Sequence, residues 1–516
     1  MMIQKNAGGY LTVYMTLVLS VILSLCLTMI EGARRSAMRM EAEVITDSAM
    51  RSVLAEYNRE LMRQYNIFAV DSSYGSTVSG MGRTSDRFKE YMEKNYTWET
   101  AFPLLSYRDF IGAYPEEAMV TGAVYLTDDK GRIFRECAIE VIRDDLGIEA
   151  VEQVIGWTSS ADLTAADSMD VYSQMNSEAG EVSGAANAER ERREAERASQ
   201  EAEYEKACLE SAEAGTEEPA KPELTELPEE YRSPVSGVSD TAFTGILGLL
   251  VDDPENLSRR QLDQNGIISG RMSAGNVNTG NLYPTEQDTG FADEILNKAL
   301  FDEYLMKYMG NYRNSDSGDA LWYQIEYLIA GKDTDVENLN SVATGIMSIR
   351  AGMNMIYLET DSVKKAEAGA IAAAICTACM IEWMTPVLTH AILLAWAIVE
   401  ARYDTATLLA GGKIPFMKDS SSWHSDLDSA LAGTSHGSGG DSDSGLSYED
   451  YLRIFLLMTD TEELTLRAMD IIESDIRLSP GNGNFRMDSC IEMIECSAVI
   501  KSSYGSRITI QRMLKY

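Results

Sequence analysis

Residues 10–30, YLTVYMTLVLSVILSLCLTMI, run for 21 positions without a charge, and this stretch limits the fold more than any other feature. A hydrocarbon core about 30 Å thick needs about 20 apolar residues of helix to cross it. Inside that core every backbone N–H and C=O must be bonded within the segment, which leaves the helix as the form for a single span. A helix buried in a soluble core keeps a polar stripe, whereas this one carries only scattered Thr and Ser. The sequence therefore predicts a transmembrane helix over 10–30 that holds the chain to membrane lipid, with residues 1–9 as a cytoplasmic N-terminus. The run is longer than the 7–15 residues of a cleaved signal, and Thr28-Met29-Ile30 is not a small-x-small cleavage site, so the segment is a retained anchor. Only Lys5 stands before it, and Arg34, Arg35 and Arg39 follow it. The positive-inside rule taken alone puts the C-terminal bulk in the cytoplasm.

The formal net charge of −37 disfavours nucleic acid and anionic headgroups as direct partners of the water-exposed part. The seven cysteines are odd in number and sparse, with one in the anchor, so they do not form a disulfide framework. Past the anchor, residues 31–65 lack proline, and Met50, Val53, Leu54, Tyr57, Leu61 and Tyr65 recur at helical steps. One helix over 10–64 would be about 80 Å long at 1.5 Å per residue, a span continuing into a stalk. Gly32 with Ser36, and Ala33 with Ala37, form small-xxx-small pairs at the exit, a spacing that lets two helices approach closely.

Lys5-Asn6-Ala7-Gly8-Gly9 and the sequence through Asn58 resemble the N-terminus of TadE/TadG-like assembly proteins of the tight-adherence (Flp-type) pilus. The shared pattern is a basic start, a Gly, an uncharged helix, Glu31 and Arg34 at its far end, then a helix rich in Ala, Asp and Ser. It covers residues 5–70. The resemblance implies a C-terminal domain outside the cytoplasmic membrane, against the basic cluster, because such helices are themselves followed by Arg. Flp-type prepilins carry Glu five residues beyond the processed Gly. Here that position is Tyr14, so the resemblance does not extend to cleavage after Gly9.

Asn66 to Asp71 reads as a turn into a short strand, 72–85 as a Gly/Ser loop, 86–96 as a helix, 118–126 as a strand, Asp128–Gly131 as a turn and 133–155 as a helix; together 66–158 make a first α+β region. Residues 159–240 hold a Glu/Arg-rich helix and a Pro-rich linker without an a/d seam, which reads as a mobile, tolerated insertion. Residues 241–516 form a mainly helical domain, with helical periods at 290–309, 333–358, 361–381, 386–410 and 448–477. A hairpin turning at Ser502–Gly505 closes the chain. Three tracts, 326–339, 395–418 and 448–458, resemble a bacterial envelope family of unknown function. The apolar stretch 368–399 breaks at Glu382 into halves short for a bilayer, so two packed core helices are expected there rather than a membrane hairpin.

Signals of chemistry are thin. Gly433-Thr434-Ser435-His436-Gly437 fits the nucleophile-elbow pattern but sits in a low-complexity Gly/Ser/Asp loop. Cys376 and Cys379 have half a zinc site's spacing, with no second pair; together with His390 they read as core residues. Asp441-Ser442-Asp443 starts like a calcium loop, but Gly445, Leu446 and Leu452 break the pattern. No catalytic, cofactor or metal residue is assigned. The expected fold class is α+β, mostly helical, and the expected role is a non-catalytic pilin-like component of a Tad/Flp-type pilus or secretion apparatus. Tyr14, Leu19, Leu23, Glu31, Gly32, Arg34 and Arg35 would carry anchoring and contacts with other pilin-like subunits or a secretion platform. The alternative is a tethered adhesin or wall-polymer receptor.

Overall fold

A computed structural model describes residues 7–97, 111–143, 171–214, 217, 219–241, 246–251, 253–263, 266–282, 291–433 and 445–516. In chain order the main elements are α1 (Ala7–Leu54), α2 (Arg59–Tyr65), β1 (Val70–Asp71), α3 (Met81–Tyr96), β2 (Ala113–Tyr125), α4 (128–143) and α5 (Val171–Ala214). They continue as α6 (Phe291–Tyr308), α7 (Gln324–Ala330), α8 (Asp335–Thr360), α9 (Ser362–Ala378), α10 (Thr385–Ala410), α11 (Tyr448–Met458), α12 (Thr461–Leu478), β3 (Cys490–Ser502) and β4 (Arg507–Lys515). The fold is α+β and mostly helical. Two compact units share the chain, and neither is one continuous stretch.

The first unit comprises 1–145, 263–290 and 465–516. Its sheet is antiparallel throughout: β3 lies centrally, paired with β2 on one edge and with β4 and the short β1 on the other. The distal part of α1 and all of α3 form a core with this sheet. Met38, Ala42, Ala49, Met50, Val53 and Leu54 from α1 and Phe88 and Met92 from α3 meet Ile494, Cys496, Ala498 and Ile500 of β3. The α1 residues recur at steps of three, four and seven, one helical face; those of β3 alternate, one face of a strand. The helix does not run to residue 64 as its periodicity suggests. It stops at Leu54, and Asn58 restarts it by accepting the N–H groups of Glu60 and Leu61. An Asn side chain at a helix start satisfies donors that a continuous helix would bond internally. Leu61 and Tyr65 stay buried, which is why the apolar period hides the break. The turn at Asp128–Gly131 is left-handed, with φ of 52°, 55° and 82° at Asp129, Lys130 and Gly131. A Cβ at Gly131 would lie 2.6 Å from Met469 Cε, so α12 crosses there over bare backbone. The predicted helix 133–155 is present through residue 143; its remainder lies outside the described residues.

The second unit comprises 146–262 and 291–464. Helix α10 is its axis. From Leu388 to Leu409 nearly every side chain is buried, and α5, α8 and α9 pack around it. Its length and hydropathy would suit a membrane, but 72% of its most apolar window is covered by protein, in line with the expected core pair of helices. The insertion is not a loose appendage. Met175, Ala179, Val182 and Ala186 give α5 a short buried stripe, and α5 packs on α10. His390 Nδ1 stands 2.6 Å from Glu178 Oε2 across that contact. The Pro-rich tract then returns along α5 and α9, with Thr225 N–H donating to Gln200 Oε1 at 2.8 Å and Glu229 N–H to Ala378 O at 3.0 Å. The stripe spans about three turns beside a long solvated Glu/Arg tail, and that tail masks it in any average over the segment. The 448–477 period likewise divides, because Asp460 caps a new helix through the N–H groups of Glu462 and Glu463.

Asp302 on α6 is buried, and neither of its carboxylate oxygens has a hydrogen-bond partner. Burial pushes its carboxyl up to about 7, against the pull of Lys298. The folded state thus keeps a proton that the unfolded state releases from about pH 4, and stability falls as pH rises from about 4 to 7. Asp302→Asn removes this dependence. In denaturant titrations of the detergent-solubilised chain, the stability difference should move in the variant's favour by on the order of 2–4 kcal/mol between pH 4 and pH 8. A difference that stays flat across that range counts against a buried, unpaired Asp302.

Candidate functional site: the helix exit and a closed ionic knot

Among the described residues, two of the places that gather polar chemistry bear on function, one in each unit. The first is where α1 leaves its apolar run. Tyr14, Leu19 and Leu23 are 64%, 57% and 54% exposed, and no residue in the most apolar window of α1 is buried by protein. An N-terminal helix long and apolar enough to span a membrane is present. The bare stretch ends at Glu31. Its carboxylate accepts from Arg34 at 3.4 Å and from Arg35 at 3.1 Å, both within one helical turn. The β3–β4 turn meets it there: Ser506 Oγ lies 3.4 Å from Glu31 Oε1, and the Arg34 guanidinium stacks 3.3 Å from the centroid of the Tyr504 ring. Further along, Arg512 reaches Glu43 at 3.3 Å and Asp47 at 3.7 Å, and the Tyr516 hydroxyl donates to Leu54 O. Strand β4 thus follows α1 from residue 31 to residue 54. Gly32 faces open space, with no atom within 4 Å of where a Cβ would stand. The assigned residues therefore divide. Tyr14, Leu19, Leu23, Gly32 and Arg35 are left outward, while Glu31 and Arg34 are held by the hairpin. Sequence reasoning did not find Tyr504 and Ser506, because the contact joins residues more than 450 positions apart.

The second place is closed. Arg350 of α8, Glu400 and Asp404 of α10, and Lys418 in the loop after α10 have side chains with no exposed surface. Arg350 Nε donates to Asp404 Oδ2 at 3.0 Å; its Nη1 donates to the carbonyls of Pro415 and Phe416 at 3.1 and 2.9 Å. Asn354 Nδ2 donates to the same Asp404 oxygen at 3.1 Å. Lys418 Nζ bridges Glu400 and Asp404, lying 2.6 Å from Asp404 Oδ1. Glu400 also accepts the N–H groups of His424 at 3.0 Å and Ser425 at 2.8 Å. Burial opposes ionisation of Asp404, but Arg350 and Lys418 outweigh it and hold the carboxyl below its ordinary range. The aromatic neighbours close the rim. His424 stacks on Tyr403 at 4.3 Å, and Lys364 Nζ sits 4.6 Å from the Trp396 ring and 5.1 Å from that of Trp423.

Two cations balance two carboxylates here, and every carboxylate oxygen faces a donor or a cation. The arrangement pins the loop 412–425 to α8 and α10. A related contact lies nearby. The Tyr448 hydroxyl donates to Glu326 Oε1 at 2.5 Å, and burial pushes that carboxyl up to about 7. Cys376 and Cys379 are buried free thiols, and among the described residues no three His, Cys, Asp or Glu side chains converge as metal ligands. Ser435, His436, Asp441 and Asp443 lie outside the described residues.

The residues of the knot and its neighbour come largely from the three tracts singled out in sequence, which hold Glu326, then Glu400, Asp404 and Lys418, then Tyr448 and Tyr451. Residues 225–502 match a family of unknown function, DUF5702. The chain belongs to this family. No curated protein and no solved structure matches it. The DUF5702 match takes in α6 to α12, the knot and strand β3; it does not reach α1. Its buried charges were not singled out in sequence; acids inside an apolar helix (Glu400 and Asp404 in AWAIVEARYD) were a signal for two of them, and nothing local pointed to their partners.

Proposed function

We propose that this DUF5702 protein is a membrane-anchored, non-catalytic structural subunit of pilin-like build, with its folded units outside the cytoplasmic membrane. One observation carries the reading. The division between the bare and the packed halves of α1 coincides with the first charge after the apolar run, Glu31. The bare half, 10–30, is about 31 Å of helix, the thickness of a hydrocarbon core. The packed half lies on an antiparallel sheet. The resemblance of residues 5–70 to TadE/TadG-like proteins, whose uncharged helix is followed by a Glu, an Arg and a further helix, agrees with a helix that is half anchor and half core. In such an assembly, neighbouring spans pack side by side, and Gly32 and Ser36 give them close approach.

Protease treatment of intact cells or spheroplasts tests the topology, and affinity capture with cross-linking tests the assembly. Degradation of the C-terminal epitope with a protected N-terminal tag is expected, together with capture of Tad-type ATPase or platform proteins. A C-terminal epitope that is protected until the cells are lysed discards the outward placement. Capture of wall polymer with no assembly proteins would instead favour a tethered receptor.

A further inference from the structure

If α1 lies in a bilayer as proposed above, the position of the β3–β4 turn follows from its contacts. Glu31 is the first charge past the span, and Arg34 lies about 4.5 Å further along the helix. The interfacial layer on each side of a hydrocarbon core is roughly 5–8 Å deep. Ser506 touches Glu31 and Tyr504 stacks on Arg34, so the turn stands within that layer. Strand β4 leads away from it, reaching Glu43 through Arg512 and Leu54 through Tyr516, which makes the turn the membrane-facing end of the sheet. Tyr504 is 59% exposed, an amphipathic ring of the type that settles at headgroup depth.

The charge around the turn also differs from the chain as a whole. In a protein of net charge −37, Arg34, Arg35, Lys501 and Arg507 gather here against Glu31 and Glu116. Lys501 and Arg507 are cross-strand partners one residue from the turn, and both reach Glu116, at 3.4 and 3.1 Å. The Arg35 and Arg507 side chains keep 66% and 59% of their surface open.

We propose that the Ser503–Gly505 turn is a second membrane contact, a foot on which the sheet stands, with Tyr504 in the headgroup layer and Arg35, Lys501 and Arg507 holding anionic phospholipid headgroups. This rests on the anchoring reading and adds to it. A span fixes one point of attachment, and the foot fixes the orientation of the first unit against the bilayer.

The test uses the full chain in nanodiscs of mixed phosphatidylglycerol and phosphatidylcholine, with a photo-crosslinking benzoylphenylalanine placed singly at Leu19, Tyr504 or Val78. Val78 is exposed and follows β1, which pairs with the opposite end of β3. Lipid adducts are expected from positions 19 and 504 and not from 78. At 504, phosphatidylglycerol should be enriched over its share of the disc. The paired variant Arg35→Glu, Arg507→Glu should lower that enrichment about fivefold or more and leave the adduct at 19 unchanged. An adduct at 19 with none at 504 overturns the foot while the anchor stands. Adducts at 504 without enrichment, or with enrichment indifferent to charge reversal, overturn the anionic part. No adduct at 19 discards the anchor and the foot together.

Discussion

Leu19→Arg with Leu23→Arg should move the protein out of the membrane fraction. The two positions lie at the middle of the span, and nothing in the protein covers them. Near a bilayer centre each arginine costs roughly 2.5–3.5 kcal/mol, whereas each Leu, Ile or Val of the run contributes only about 0.3–0.6 kcal/mol. The pair therefore cancels the insertion energy of most of the segment. Snorkelling offers little rescue, because from positions 19 and 23 the nearer headgroups lie about 10–14 Å away along the helix. Carbonate extraction and sedimentation provide the measurement. The expected result is a parent protein in the pellet and a variant that is soluble, aggregated or degraded. A variant that still pellets and resists carbonate as the parent does counts against the anchor, and with it the reading built on the Glu31 boundary.

Asp404→Ala should come close to unfolding the second unit. It removes the carboxylate that Arg350 and Lys418 share and leaves the knot's two buried cations with Glu400 alone to balance them. Breaking a buried ion pair from one side costs about 3–5 kcal/mol, a large part of the 5–15 kcal/mol that holds a whole domain. Arg350 has no easy escape: a guanidinium does not give up its proton inside a protein, so losing Asp404 leaves it buried and charged. The control is a double-mutant cycle on the other pair, Glu400→Gln and Lys418→Met. Removing both partners should cost at least 1–2 kcal/mol less than the sum of the single losses. The near-ultraviolet signal of Trp396 and Trp423, which pack against each other at the knot's rim, reports the loss in denaturant titrations. A cost below about 1 kcal/mol for Asp404→Ala would mean that water reaches the cluster.

What could be read in advance followed from local rules. The long apolar N-terminal helix is a question of length and charge. The hairpin at Ser502–Gly505 and the helices over 335–360 and 385–410 are questions of period and turn chemistry. The α10 core helix was separable from a membrane span because Glu382 and Pro386 shorten its apolar run. Reading failed where one residue's side chain overrode a smooth pattern, as Asn58 and Asp460 do by capping new helices. It also failed where a short stripe was diluted, as Met175 to Ala186 is within the Glu-rich α5.

By itself the sequence determined that residues 10–30 form a helix long and apolar enough to cross a membrane, because an uncharged run of that length follows from neighbouring residues alone. It also determined the fold class, since helical and alternating periods are properties of neighbouring residues. Only the tertiary structure decided that a strand from the far end of the chain lies along α1, that its turn meets Glu31 and Arg34, and that Arg350, Glu400, Asp404 and Lys418 neutralise one another. The reason is physical: a period shows which face of an element must be covered, but charge pairing and stacking act between residues whose separation in sequence has no bearing on their distance in space.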